Sequence, residues 1–539
     1  MEDHFDAIVI GSGIGGLSTA VLMGKIARKR VLVLERHFKP GGFTHSFSRP
    51  GGWEWDVGLH YVGGMAQGST SRALFDFVTG GRVQWNPMPD EYDHFHYPGL
   101  RFSAPKGARN YEARLIERFP EEAAAIRRYF RDVKSATGWV TRQFWAISSP
   151  APLSSVVRLL NRLTSGLPLQ TTKEYLERRF RDPQLRALLA SQWGDYGLAP
   201  AKSAFCIHSL IAAHYFDGAY YPEGGAGRIA EGASQEIRQA GGEVLVNDEV
   251  QRILMENGRA VGVEVRRNVG KGGETVRFHA PVIVSDAGAA NTFKRMLPPE
   301  VDVPFRAKLD DLIRAGNTAA TIYIGFKRDP SELGFRGENH WIFDSFDHDA
   351  MLAQSDDLLN GVAHVCYLSF PSLKDPRARR HTAEIIAPLS YESVARFRDQ
   401  PWRRRAEEYQ AIKEKIGQGL IALVEKHYPG FCDLIEFQEV STPLSVEHFT
   451  AHPGGGIYGI AATPERFRQP WLQPRTHIPG LYLTGADAGT LGIMGALMGG
   501  VAAASLLIGP AGFMKIVAAA KREAHQAPVA AASPAFKGA

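Results

Sequence analysis

The sequence predicts an α/β protein: a Rossmann-like domain, discontinuous along the chain, with an inserted α+β domain. Three observations carry this. The N-terminus reads strand, glycine-rich turn, helix, strand, in the apolar run FDAIVI, then GSGIGG, then VLVLE. Apolar strands of the same kind recur far downstream, in APVIVSDAG and GLYLTG. The stretches between them follow another pattern, with long amphipathic helices and strands of a different sheet.

Taken in order, residues 5–10 form a short buried parallel strand ending at Gly11. A helix follows from about Ile14 to Ala27, and residues 31–35 form the second strand. Residues 110–190 read mostly as helix, with amphipathic stretches at 111–134 and 170–190. After PEGGAG a helix runs to about Gln239, turns at Gly241–Gly242 and leads into the strand EVLVND. Residues 250–267 form a hairpin on the turn NGR, and 276–288 ends in an apolar strand. Strands of the other sheet fall at 318–326 and 362–370, and a long helix at 403–428. GLYLTG at 480–485 is a late apolar strand, followed by an uncharged, glycine-rich helix. The Rossmann-like domain is therefore assigned to 1–75, 222–297 and 440–520, and the inserted domain to 76–221 and 298–439. Residues 521–539, rich in alanine and proline, are assigned to a flexible tail.

The chain has 539 residues, with 62 basic and 57 acidic side chains and a net charge of +5. That balance is too mild for a dedicated nucleic-acid binder. Arginines cluster at Arg127, Arg128 and Arg131, at Arg178, Arg179 and Arg181, and at Arg403, Arg404 and Arg405. Such clusters are solvated helix faces or attract anionic lipid headgroups. Three widely spaced cysteines offer neither a disulfide framework nor a CxxC metal site, which points to a reducing compartment. Glu2, Asp3 and Asp6 spoil the positive start of a signal peptide. The 56 glycines are placed rather than scattered, in GSGIGG, PGGF, PEGGAG, PGGG and MGALMGG. Backbone that approaches a ligand closely has this character.

GxGxxG alone is a weak signal. Here Gly11-Ser12-Gly13-Ile14-Gly15-Gly16 follows a strand, opens a helix and precedes an acid, Glu35, at the end of the second strand. That is the context of a dinucleotide site. Gly11 makes the turn, Gly13 lets the backbone approach the diphosphate, and Gly16 packs helix on strand. The helix start at Ile14 and Gly15 faces the phosphates. Glu35, with Arg36 beside it, takes the adenosine ribose. Gly41, Gly42 and Phe43 follow directly, and a glycine pair there suits flavin, as FAD, better than NAD. A third segment ends a strand with Thr484-Gly485-Ala486-Asp487 and starts a helix with Gly492-Ile493-Met494. Asp487 is in reach of the diphosphate or ribityl chain, and the helix start would stabilise the negative charge of reduced flavin. The uncharged run from Ala488 to Met514 is also long enough to span a bilayer. Its glycines and the TGAD lead-in favour a buried flavin helix.

These motifs, with VLVLERHFKPGGFTHSFSRPGGWEWDVGLHYVGG, AYYPEGGAGRIAEGASQEI and TPLSVEHFTAHPGGGIYGI, resemble the carotenoid (phytoene) desaturase and retinol saturase family of the flavin amine oxidase-like superfamily. The resemblance covers both ends and parts of the middle; residues 100–220 carry no assignable motif. It implies a FAD enzyme acting on carbon–carbon bonds of a long apolar lipid, whether polyene, isoprenoid or fatty acyl chain. Desaturation by hydride transfer to the flavin is the first expectation. A saturase or cis–trans isomerase using reduced flavin is open, as are an amine oxidase and a non-enzymatic lipid-escort protein. The resemblance puts Asp56–Tyr61 near the flavin ring, with His60 either a proton donor or acceptor or a histidine bonded to backbone. It puts Glu447 and His448 at the substrate site or on an outward-facing loop, and the backbone of Val250 at the adenine. Phe43 stands where many amine oxidases have arginine, which counts against that class. No cysteine lies in the C-terminal flavin segment, so the FAD is expected to be non-covalent. No second dinucleotide fingerprint is present, and neither the electron acceptor nor the oligomeric state is legible.

Pro152–Leu169 sets Leu153, Val156, Val157, Leu160 and Leu163 at helical spacing, with Arg158 and Arg162 between them. Packing against the chain's own core is the first expectation. The second is peripheral docking on a membrane, through which lipid enters. The expected location is the cytoplasm, free or on the inner face of a membrane.

Overall fold

The computed structural model describes residues 4–149, 153–269, 272–314, 316 and 318–526. One layer is a five-stranded parallel sheet in the order Glu243–Val246, Val31–Glu35, Ala7–Ile10, Ile283–Ser285, Leu481–Leu483. Every residue of Ala7–Ile10 and Val31–Glu35 is buried, as a parallel sheet covered on both faces requires. Side chains alternate between the two faces. Ala7, Val9, Val31 and Val33 pack among helices that include Ile14–Ala27 and Gly492–Ile508. Ile8, Ile10, Leu32 and Leu34 pack toward the antiparallel strands Glu249–Glu256 and Arg259–Arg266.

Helix Gly492–Ile508 lies against Ile14–Ala27, and glycine makes that approach possible. A Cβ on Gly500 would strike Ser18 and the carbonyl of Gly15. The uncharged run is thus a core helix, with Leu497, Val501 and Ala504 fully buried. It ends at Ile508, and the chain turns by 117° into Gly512–Gln526. Among the described residues no single helix is long and apolar enough to cross a membrane. Helix Gly512–Gln526 also takes in Lys521–Gln526, the start of the expected tail; the rest of that tail lies outside the described residues.

The second layer is a seven-stranded sheet in the order Ile435–Ser441, Ala319–Phe326, Thr382–Pro388, Val365–Ser369, Asn339–Phe343, Glu91–Tyr97, Leu100–Pro105. All its pairings are antiparallel except Asn339–Phe343 with Glu91–Tyr97. The strands expected at 318–326 and 362–370 are two of the seven. Ile322, Ile342, Cys366 and Ile385 share a core with helix Glu407–His427 on the outer face. Thr321, Tyr323, Trp341 and Tyr367 face inward, toward the parallel sheet.

Proline divides the expected long helices. The 111–134 stretch becomes Ala108–Arg118 and Ala123–Ser148, with Pro120 between, and the 170–190 stretch becomes Thr172–Arg179 and Pro183–Ala190. The residue before a proline is pushed out of helical conformation.

Helix Leu153–Leu163 overturns its first expectation. Leu163 is 75% exposed, and Leu153, Val156, Leu159 and Leu160 are each more than half exposed. The polar side is the one that faces in. Asn161 is buried, its carbonyl accepting from Trp139 Nε1 (2.9 Å) and its Oδ1 from Arg142 Nε (3.0 Å).

Candidate active site

A cavity of about 470 Å³ lies at the C-terminal ends of the parallel strands and reaches the inner face of the seven-stranded sheet. Its floor is the point where strand order reverses, the place where such sheets bind ligands. Gly11 turns there with φ +94°, and its N–H donates to Leu34 O at 2.8 Å. A Cβ on Gly13 would lie 2.5 Å from Asp286 Oδ2, one on Gly15 would meet the backbone of Gly485, and one on Gly16 would strike Gly11 O. Gly41 N donates to Ser12 O at 3.1 Å, and a Cβ on Gly42 would sit 3.2 Å from Gly13 Cα. The result is a closely packed glycine cradle at a helix N-terminus, with the Asp286 carboxyl against it.

Glu35 is locked at its edge. Oε2 accepts from Ser12 N (3.0 Å) and Ser12 Oγ (2.6 Å), and Oε1 accepts from His37 N (2.7 Å). Across the cradle, the Asp286 carboxyl accepts from the N–H groups of Gly16 and Gly13. Burial, with the nearby carboxylates of Glu35 and Asp487, pushes its pKa up to about 8.

At the other end the cavity is walled by Trp193, Trp341, Val365, Tyr367, Ile386 and Tyr458. His60 lines this chamber, and its Nδ1 lies 2.7 Å from Oε2 of the fully buried Glu384. The buried Lys374 donates from Nζ to His60 O (3.0 Å), to Ser369 Oγ (2.7 Å) and to Asn339 Oδ1. Burial pushes its ammonium down to about 7, against the pull of Glu384. Asp195 also lines the chamber. The Tyr61 hydroxyl lies 2.6 Å from Asp195 Oδ2 and 3.1 Å from Asp93 Oδ2 and donates its one proton between them. Asn339 Nδ2 donates to Asp93 Oδ1 at 3.0 Å. Burial, and then the Asp93 carboxyl, raise the pKa of Asp195. Asn339 therefore joins the Lys374–Glu384 and Asp93–Asp195 groups into one polar network behind the chamber wall.

Every residue expected at the cofactor lines the cavity except Gly16, Gly485 and Met494. Gly16 and Gly485 lie beneath the cradle as packing positions. Met494 turns into the helical core, and its neighbour Ile493 faces the cavity in its place. Asp487 lines the cavity but already accepts from Ala289 N (2.7 Å) and Ile460 N (2.9 Å), tying three chain segments together. Of the expected catalytic residues, only His60 reaches the cavity. Glu447 and His448 sit on helix Pro443–Thr450, which presents Ser445, Val446, Phe449 and Thr450 to the cavity instead. Glu447 accepts from Tyr391 OH at 2.7 Å, and His448 stacks on Trp402 with ring centroids 4.7 Å apart.

Glu384, Lys374 and Asp195 were not legible as site residues. Asp195 lies in a stretch without an assignable motif. Glu384 left one trace, a lone acid in the otherwise apolar strand TAEIIAP.

The sequence pattern of the flavin containing amine oxidoreductases matches residues 14–508. The chain belongs to that family. Among relatives of this flavin oxidoreductase, the all-trans-retinol 13,14-reductase of Rattus norvegicus is 32% identical over 531 residues, covering 94% of this chain and 86% of its own. The Danio rerio protein of the same name is 33% identical over 534 residues, with the same coverage. The chloroplastic prolycopene isomerase of Arabidopsis thaliana is 25% identical over 467 residues, covering 85% of this chain and 74% of its own. These relatives place the oxidoreductase in the carotenoid-desaturase-like branch. An oxidoreductase from Methanosarcina mazei has a TM-score of 0.57 at 17% identity, over 92% of this chain and 98% of its own. Cyclohexylamine oxidase from Brevibacterium oxydans has a TM-score of 0.56 at 16% identity, over 97% of this chain and all of its own. The two solved structures share the fold. The family's cofactor is a flavin, and the cradle fits one: side chains are excluded where a diphosphate would lie, and Glu35 stands where a ribose would.

Proposed function

We propose that this oxidoreductase holds FAD without a covalent bond and saturates a carbon–carbon double bond in a polyene lipid. The observation that carries this reading is that His60 and Asp195 both line the cavity that holds the glycine cradle, along with the aromatic residues of its wall. The Rattus norvegicus and Danio rerio proteins, at 32% and 33% identity, carry the name of retinol reductases, which favours saturation over the desaturation first expected from sequence. No cysteine lines the cavity, consistent with a flavin held by contacts alone.

Reduced FAD held in the cradle would supply the hydride and be left oxidised. The chain supplies the rest. Trp193, Trp341 and Tyr367 orient a conjugated chain and exclude water from it. Saturation adds hydride to one carbon and a proton to its neighbour. Asp195, which lines the chamber and whose protonated form burial favours, is the donor of that proton. His60, backed by Glu384, is the second proton-holding group.

The exposed face of Leu153–Leu163 serves this reading. Trp145 and Met514 are exposed on the adjoining helices, and Arg142 and Arg162 are exposed beside the apolar face. An aromatic, an aliphatic face and flanking arginines suit a peripheral seat on a membrane that stores the lipid.

The test is anaerobic mixing of the reduced enzyme with all-trans-retinol, followed by mass spectrometry. The expected product carries one more hydrogen pair, formed in step with flavin reoxidation. If instead only the oxidised enzyme acts, and removes hydrogen from the dihydro form, the direction is desaturation. Turnover of amines with peroxide release, and none of polyenes, would sink the lipid reading.

A further inference from the structure

We infer that His94, His96 and His340 form a binding site for one zinc-type divalent cation on the outer face of the seven-stranded sheet. His94 and His96 are two apart on Glu91–Tyr97 and so share a side of the sheet. His340 is the direct register partner of His94 on the neighbouring parallel strand. Each of the three imidazoles can offer a ring nitrogen such that all three lie within 4.8 Å of one another. The next residue, Trp341, points the other way, into the cavity, so this cluster is separate from the active site.

The geometry of two ligands is already that of a tetrahedral site. His96 Nε2 and His340 Nδ1 are 3.3 Å apart. Two nitrogens bound at about 2.0–2.1 Å to one tetrahedral zinc are separated by about 3.3 Å. The hydroxyl of Tyr428, just past helix Glu407–His427, lies 2.8 Å from His340 Nδ1 and 3.3 Å from His96 Nε2. It is placed as a fourth ligand or as the anchor of a ligand water.

The second shell is also in place. Glu338 Oε1 lies 3.3 Å from the other nitrogen of His340, Nε2. A carboxylate there draws the ring proton to Nε2 and leaves the Nδ1 lone pair aimed at His96, the carboxylate–histidine–metal arrangement. Without an ion, His96 Nε2 and His340 Nδ1 share a proton between them at 3.3 Å; a cation would take both lone pairs in its place. His96 is 3% exposed, and no water reaches its Nδ1, which has no hydrogen-bond partner. His94, 28% exposed at its side chain, is the ligand on the solvent side and completes the set by turning inward. Arg101 on the adjoining strand is the opposing charge, and Glu338 and Glu91 flank the cluster against it. An all-imidazole set with an oxygen ligand selects zinc-like ions over magnesium or calcium. Bound there, the ion clamps the one parallel strand pair of this sheet.

The test uses tag-free, full-length protein stripped with a chelator and then equilibrium-dialysed against zinc. One zinc per chain is expected. His94→Ala, at a part-exposed position, should weaken binding at least tenfold. Glu338→Gln should weaken it about tenfold to a hundredfold. Zinc should raise the unfolding temperature of the unaltered protein and not that of His94→Ala. Cobalt in place of zinc should give the intense visible bands of a tetrahedral nitrogen site, lost in His94→Ala. No zinc uptake by the unaltered protein, or equal uptake by it and both variants, overturns the site.

Discussion

His60 Nδ1 lies 2.7 Å from Glu384 Oε2, and Glu384 is sealed from solvent within the strand Thr382–Pro388. At that distance the carboxylate dominates the electrostatic surroundings of the Nδ1 side of the ring. Glu384→Gln keeps the shape and removes the charge. Turnover should fall about a hundredfold, with KM changed by no more than a few fold and flavin content intact. Steady-state kinetics at several pH values checks this; unchanged turnover would make the pair structural.

Asp195 gives a prediction with a defined pH sign. Burial and the Asp93 carboxyl raise its pKa and so favour the protonated form, which sets the sign: saturating activity is expected at low pH and falls as pH rises. Asp195→Asn cannot donate. It should lower saturation about a hundredfold and remove this alkaline limb from the rate profile while polyene binding persists.

The cradle tolerates no Cβ at its centre. Gly15→Ala sets a methyl against the backbone of Gly485, where no side chain can move aside. It should cost about 1–3 kcal/mol of stability and release flavin on gel filtration. Ser12→Ala, which removes one donor to Glu35, should keep the fold and weaken FAD retention by a smaller factor.

Asp286 makes stability depend on pH. Its folded pKa, about 8, stands above the ordinary value of 3.8. Between those values the folded chain binds a proton that the unfolded chain has lost, so stability falls as pH rises through the window. Asp56, raised by burial to about 7, adds to the slope with the same sign. In thermal melts of the flavin-free chain, Asp286→Asn and the unaltered protein should match near pH 4. Toward pH 8 the variant should be the more stable.

The outward face of Leu153–Leu163 should bind lipid. Leu160→Asp with Leu163→Asp removes two exposed leucines, each worth about 1.5–3 kcal/mol when buried. Sedimentation with vesicles containing anionic lipid should drop at least a hundredfold in affinity. The melting temperature should move little, because Leu163 is 75% and Leu160 51% exposed in the folded chain.

What could be read from sequence follows the range of the interactions. The cradle was legible because Gly11, Gly13, Gly16 and Glu35 act within one strand–helix–strand unit, and Ile14–Ala27 ends where its residues said it would. The seven-stranded sheet was mostly not. Two of its pairings, Asn339–Phe343 with Glu91–Tyr97 and Ala319–Phe326 with Ile435–Ser441, join strands more than a hundred residues apart, and alternation in a strand such as Glu91–Tyr97 is masked by burial of both faces. His60 was visible as a candidate, but its partner Glu384 is brought to it only by that sheet. The periodicity of Leu153–Leu163 showed two faces without showing which one turns outward, since Asn161 holds the inner side.

The parallel sheet takes its strands from the two ends and the middle of the chain, and this orders events during synthesis. Ala7–Ile10 pairs with Ile283–Ser285, and that strand with Leu481–Leu483. The glycine face of Ile14–Ala27 stays uncovered until Gly492–Ile508 leaves the ribosome. Contacts this distant are slow to form and leave apolar surface exposed in the meantime. The phosphate cradle, encoded first, is thus finished last, and a chain cut before residue 481 is a client for chaperones and proteases rather than a shorter enzyme.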